Sequence, residues 1–251
     1  MLFRSAGALQ ISDGSSVWEE VVSTQELERL KVIDPFTFYA QYMQQPQLPG
    51  GNLIEEQWFM HYADKQEVME RCSRFFIFAD TAMKEKQSAD FSVFQLWGYE
   101  GNKRAYLLDQ IRGKWAFPAL VKNCLAFWEE SRKTCNVKCI FIEDAVSGTS
   151  LIQVLKMQHG IPATPWRAKM FKVDKDDKVS RVQTATGPIY DGSVWLPSVD
   201  MHSWVNSFLD EAVAFSLNDS HAHDDQVDAM TMALTTMQAG GYKNATITAS
   251  A

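Results

Sequence analysis

The chain has 251 residues, is 46% hydrophobic and carries a net charge of −7. That length and composition can bury a substantial core and exclude a disordered protein. No apolar run approaches the roughly 20 residues needed to span a bilayer. The four cysteines contain no Cys-x-x-Cys pair and the opening residues do not read as a secretory leader, so reduced thiols are expected and a cysteine-held zinc centre is not. The acidic balance is a weak argument against a nucleic-acid partner, because acids gathered around metal ions make the distribution of charge more informative than its sum.

Residues 1–60 differ in character from the rest of the chain. A helical stretch starts at Ser23 or Thr24 and runs through Leu27, Leu30 and Ile33; an aromatic segment and the breaker Pro46-Gln-Leu-Pro-Gly-Gly come next. This reads as a linker or the tail of a preceding domain. The main domain is expected over 61–238. Strands over 74–80, 91–99 and 105–109, the last two joined by a Glu-Gly-Asn-Lys turn, predict a three-strand antiparallel meander. Phe117-Pro118 opens an amphipathic helix through Val121, Leu125 and Trp128, and a strand over 137–143 comes after it. A strand, crossover helix and strand in one sheet normally pair in parallel. Ser147-Gly-Thr-Ser starts another helix, and a short strand is expected over 163–166. Residues 187–197 read as a hairpin, and 203–215 and 224–237 as helices. The small, polar residues 239–251 are expected to be a flexible tail. The fold class is therefore α/β, a mixed sheet of an antiparallel meander plus parallel strands with flanking helices.

Three carboxylate stations stand out on this frame. Asp80 closes the apolar run Arg74-Phe-Phe-Ile-Phe-Ala-Asp, Glu143 closes Lys138-Cys-Ile-Phe-Ile-Glu, and His223-Asp224-Asp225-Gln-Val-Asp228 opens the last helix. A buried carboxylate costs several kcal/mol unless something neutralises it, and a divalent cation would do so. If the two strands are parallel neighbours about 4.8 Å apart, both acids reach one ion. Asp224 and Asp228, or Asp225 and Asp228, can join from the first turn of the helix. Such an oxygen-rich set suits Mg²⁺ or Mn²⁺, and two ions roughly 3.5–4 Å apart support phosphodiester cleavage. The ordinary alternatives are strand-end acids at a solvated rim and acids that complement a helix dipole. Asp109 and Asp144 fit structural roles better, and His221 and His223 fit a helix-start or water-orienting role. Between Arg167 and Arg181, six basic residues face three aspartates, a local surplus of three positive charges. Lys169, Lys172, Lys175, Lys178 and Arg181 are thus candidate phosphate contacts, with a solvated mixed-charge loop as the alternative.

These residues resemble a known family. Phe78-Ala-Asp-Thr-Ala, Leu108-Asp-Gln-Ile-Arg-Gly-Lys-Trp-Ala-Phe-Pro, Ile142-Glu-Asp-Ala-Val-Ser-Gly-Thr-Ser-Leu-Ile-Gln, Asp177-Lys-Val-Ser-Arg, Gly192-Ser-Val-Trp-Leu-Pro and His223-Asp-Asp-Gln-Val-Asp-Ala are similar to the nuclease portion of the large terminase subunit of tailed bacteriophages. The similarity runs from about Phe75 to Met237, and Phe38-Tyr-Ala-Gln-Tyr-Met-Gln-Gln-Pro resembles the segment joining that family's ATPase portion to its nuclease. The resemblance implies a ribonuclease H-like fold that cuts concatemeric double-stranded viral DNA during packaging. It implies two Mg²⁺ or Mn²⁺ ions held by Asp80, Glu143 and Asp225, with Asp224 and Asp228 auxiliary. It also implies a portal protein and a small terminase subunit as partners of the full-length protein, and action in the host bacterial cytoplasm. Members carry an ATPase motor; this sequence has no Gly-x4-Gly-Lys-Ser/Thr loop, so ATP turnover is not expected and the chain reads as a C-terminal piece. The rivals are another ribonuclease H-like enzyme, such as a junction resolvase or transposase, and a catalytically silent DNA-docking or assembly module.

Overall fold

The computed structural model describes residues 22–33, 53–82, 91–143, 146–171, 178–215 and 224–239. Helix α1 (Thr24–Ile33) precedes β1 (Met60–Tyr62), α2 (Lys65–Arg71), β2 (Arg74–Asp80), β3 (Ser92–Glu100), β4 (Arg104–Gly113) and α3 (Phe117–Thr134). Next come β5 (Val137–Glu143), α4 (Val146–His159), β6 (Ala163–Trp166), α5 (Lys178–Tyr190), β7 (Val194–Pro197), α6 (Trp204–Ala214) and α7 (Asp225–Gln238).

The strands form one seven-stranded sheet in the order β1-β7-β4-β3-β2-β5-β6. Strand β3 is antiparallel to both β2 and β4, and the other pairings, β1 with β7, β7 with β4, β2 with β5 and β5 with β6, are parallel. Six strands therefore point the same way and β3 runs against them. The meander and the parallel crossover expected from the sequence are both present. As a consequence, the carboxyl ends of β2, β4, β5 and β6 lie along one edge of the sheet.

Period-two side-chain placement divides the core into two layers. Phe76, Phe78, Trp97, Tyr99 and Phe141 pack on one face with α5, α6 and α7; Ile77, Ala79, Phe94, Leu96 and Ile140 pack on the other with α3 and α4. On α3, Leu120, Cys124, Phe127 and Trp128 form one buried stripe, and Pro118 in the first turn sits where its missing N–H has no helical partner to lose. Helix α7 is different, because every residue from Asp225 to Met237 is buried. It packs on the sheet and against both α5 and α6, and the polar residues at its start are carried into the interior.

Two elements differ from the sequence expectation. Residues 187–197 are not a hairpin: α5 continues through Gly187-Pro188 to Tyr190, and the turn falls at Asp191-Gly192, where Gly192 has φ +71°. Proline inside a helix frees the carbonyl four residues earlier. Here that carbonyl, on Thr184, accepts from Gln238 Nε2 at 3.2 Å, so tertiary contact compensates the break. Residues 53–60, assigned by sequence to the preceding segment, pack with the main domain: Leu53, Ile54 and Phe59 enter its core, and the Leu53 N–H donates to Phe215 O at 3.3 Å.

Candidate active site

The parallel register of β2 and β5 pairs Phe78 with Phe141 and Ala79 with Ile142. One step further along both strands stand Asp80 and Glu143, at the sheet's carboxyl edge. Their carboxyls come close enough for a side-chain hydrogen bond. Asp80 is held well above the usual carboxylate range; burial is the largest cause, followed by the charges of Glu143 and Asp228, the hydrogen bond with Glu143, and the charge of Asp225. Carboxylates that crowd a partly desolvated point resist ionising together. The first turn of α7 belongs to a helix that packs on β2 and β3, and the charges of both Asp228 and Asp225 act on Asp80.

Two arginines complete the edge. Arg181, from α5, is buried and its Nη1 donates to Glu143 Oε1 at 2.7 Å, with the guanidinium 5.9 Å from the Trp166 ring centroid. Arg112, near the end of β4, lies 2.9 Å from Glu211 Oε2 and 3.4 Å from Asp225 Oδ2. Asp225 is buried, and its carboxyl is raised by burial first and then by the charge of Glu211, while Arg112 pulls it the other way. Asp224 occupies the N-cap of α7 without a side-chain capping bond. Among the described residues, no three His, Cys, Asp or Glu side chains stand in a ready-made metal-holding group; Glu143 and Asp225 are each drawn towards an arginine.

Glycine is required beside Glu143. A Cβ on Gly148, in the first turn of α4, would stand 2.2 Å from the Glu143 carbonyl oxygen and 2.9 Å from Ile142 Cγ2. The helix can approach the end of β5 this closely only without a side chain there.

The basic segment is divided by the fold. Lys169 is exposed on the short 3₁₀ turn Ala168–Phe171, whereas Arg181 points into the acid corner instead of outwards. Lys178 belongs to the first turn of α5, and Lys172 and Lys175 lie outside the described residues, as do Asp144, His221 and His223. Asp109 sits away from the cluster, 3.8 Å from Lys65. The sequence reading missed Arg112, Glu211, Gln226 and the positional need for Gly148. A glutamate within the apolar helix 203–215 and a glutamine within Val93-Phe-Gln95-Leu-Trp were the available signals, since polar groups in core elements need partners.

The sequence matches the family described as the terminase RNaseH-like domain over residues 77–236, which is well over half of the chain. The chain belongs to that family. Its ribonuclease H-like fold is shared with the large terminase of a thermophilic bacteriophage solved with ADP, at TM-score 0.60 and 15% identity, covering 86% of this chain and 52% of that one. The human cytomegalovirus terminase nuclease domain aligns at TM-score 0.52 and 12% identity, over 73% of this chain and 94% of that domain. The chain thus spans about half the length of the phage large terminase it matches. A comparison with curated proteins gives no match.

Proposed function

We propose that this chain is a divalent-metal-dependent endonuclease that cleaves concatemeric double-stranded viral DNA during genome packaging, in the cytoplasm of a phage's bacterial host. The observation that supports this reading best is that Asp80 and Glu143 end neighbouring parallel strands at one sheet edge, with the acid-bearing helix α7 packed on β2 and β3. The donor set is entirely carboxylate oxygen, which fits Mg²⁺ or Mn²⁺ better than a softer metal. Asp80 and Glu143 are the strand residues to hold the ions, and the resemblance adds Asp225 with Asp224 and Asp228 auxiliary; because Arg112 already engages Asp225, we favour Asp228 as the third ligand, with Asp225 and Asp224 beside it. Ions held there would supply the Lewis-acid chemistry of phosphodiester hydrolysis.

The chain's own residues set the conditions for that chemistry. Asp80 and Glu143 are fixed by strand register, so their spacing does not depend on a loop. Arg181 places a permanent cation against Glu143, and its planar guanidinium can also engage phosphate oxygens. Lys169 and its basic neighbours supply backbone contacts that position DNA without reading its sequence, so cleavage by this chain has little sequence preference. Portal protein and the small terminase subunit are proposed partners of a longer protein that contains it.

Plasmid nicking tests the proposal. Mn²⁺ should support conversion of supercoiled plasmid to nicked and linear forms, and chelator should stop it. A pure, folded chain that binds DNA but never cuts it with Mg²⁺ or Mn²⁺ is instead a silent docking module.

A further inference from the structure

Helix α7 carries its acids in the first turn, where the leading N–H groups lack helical acceptors. Its N-cap, Asp224, makes no side-chain capping bond. The missing acceptor comes from another helix. Glu211 of α6 is buried, and its Oε1 accepts the Gln226 N–H at 2.7 Å while its Oε2 accepts from Gln226 Nε2, also at 2.7 Å. Gln226 is engaged on every polar group: Nε2 also donates to Ser207 O at 3.2 Å, Oε1 accepts from Gln110 Nε2 at 2.6 Å, and its carbonyl accepts from Gln95 Nε2 at 3.0 Å. Gln95 and Gln110 are register partners on β3 and β4, joined at 2.8 Å, and Trp97 Nε1 donates to Gln95 Oε1 at 3.0 Å.

This network fixes one point of α7 to two strands and one helix through buried, directional bonds. An apolar contact could hold a helix against a sheet with less desolvation, and burying Glu211 near Asp225 adds like-charge repulsion that Arg112 must offset. What directional bonds add is rotational and axial register. Asp225 and Asp228 flank Gln226 within one turn, so any rotation or slide at residue 226 moves both acids relative to Asp80 and Glu143.

We propose that Glu211 and Gln226 form a positioning clamp that sets the first turn of α7, and with it Asp225 and Asp228, against the strand acids. The inference rests on reading the acid edge as a metal centre. Glu211 is a positioning residue here, acting through Gln226 and Arg112. Outer-shell partners of metal ligands commonly change metal affinity by about 10–100-fold when removed, and that is the effect expected of this clamp.

The test uses the full chain and reads the turn and the metal separately. Hydrogen exchange by mass spectrometry should show residues 224–230 exchanging at least about tenfold faster in Gln226→Met and Glu211→Ala, with a smaller change over 231–237. Calorimetric titration should give Mn²⁺ affinities roughly 10–100-fold below the parent's. Glu211→Gln keeps an acceptor for the Gln226 N–H but turns an amide nitrogen towards the donors Gln226 Nε2 and Arg112 Nη2, so it should fall between the parent and Glu211→Ala in both readouts. Phe208→Leu, a core change on α6 outside the network, should melt lower yet bind Mn²⁺ as the parent does. If Glu211→Ala does not fold, Gln226→Met and Glu211→Gln carry the comparison. Parent-like exchange over 224–230, parent-like Mn²⁺ affinity in the clamp variants, or equal weakening in Phe208→Leu overturns the clamp. A parent that binds no Mn²⁺ overturns the metal reading itself, and this inference with it.

Discussion

The acid edge is built in two ways. Asp80 and Glu143 hang from neighbouring strands, and one backbone ladder fixes their relation: once Ala79 pairs with Ile142, the next residues must meet. Asp225 and Asp228 hang from a helix, whose rotation and height no ladder fixes. They are held by Glu211, Gln226, Arg112, Gln110 and Gln95, drawn from α6, α7, β4 and β3. A strand acid is placed by local geometry, whereas a helix acid needs a tertiary network. The two halves should respond differently to mutation.

The largest effect should come from the acids themselves. Asp80→Asn and Asp228→Asn should each lower plasmid cleavage by at least roughly 10²–10³-fold, the scale of losing one preorganised charge-stabilising group, with DNA binding retained. Asp225→Asn should cost less, because Arg112 already engages that carboxylate. A loss at Asp225 that matches Asp80 while Asp228→Asn cuts normally would restore Asp225 as the direct ligand, as the sequence resemblance implies.

Arg181 offers a way to separate the two halves by stability. Removing it leaves Glu143 crowded by Asp80 with no guanidinium beside it. In chelator, Arg181→Ala should lose about 2 kcal/mol, less than the ~3–5 kcal/mol of a fully buried pair because the Glu143 side chain is 26% exposed. Mn²⁺ should then raise the melting temperature of the variant more than that of the parent, since the ion no longer competes with a guanidinium for Glu143. Equal responses in calorimetric melting would show that Arg181 and the metal do not share this acid.

The same division explains what the sequence disclosed. Strands over 74–80 and 137–143 were legible because apolar runs of that length, separated by a helix-period segment, have few other outcomes. Asp80 and Glu143 followed from register alone. Arg112 was hidden because β4 runs to Gly113, beyond the apolar stretch that ends near Asp109. Glu211 and Gln226 were hidden because their bonds span 15 residues and join two helices, a relation that no periodicity reports. The misread hairpin has the same origin: Gly187-Pro188 is a local stop signal, and the carbonyl that Pro188 frees is bonded by Gln238, from a distant part of the chain.

A smaller effect is expected at Gly148. Gly148→Ala should cost about 1–3 kcal/mol by overpacking and should reduce cleavage, because the new Cβ presses on the Glu143 carbonyl. Gly101→Ala is the matched control: its φ of +60° strains any side chain, yet nothing stands within 4 Å of the added Cβ. It should lose stability with cleavage intact. Equal cleavage in the two variants, measured on folded protein, would show that the approach of α4 does not set Glu143.

The smallest effect concerns the basic segment, which the fold splits into an inward and an outward member. Lys169 is exposed, so a phosphate contact from it is the sequence-independent kind that releases counterions. Each such contact contributes about 0.9 to the slope of log K against log salt. Lys169→Ala should therefore flatten the slope by up to about 0.9, weaken binding modestly at low salt, and leave the Mn²⁺ affinity unchanged. Arg181→Ala should show the reverse balance, with its main effect on metal response, because its guanidinium is bonded to Glu143 within the acid corner. The discriminating measurement is DNA binding across a salt series for both variants, paired with Mn²⁺ titration. A slope change at Arg181 as large as that at Lys169, with no change in metal response, would mean that Arg181 leaves Glu143 for the phosphate backbone when DNA is bound.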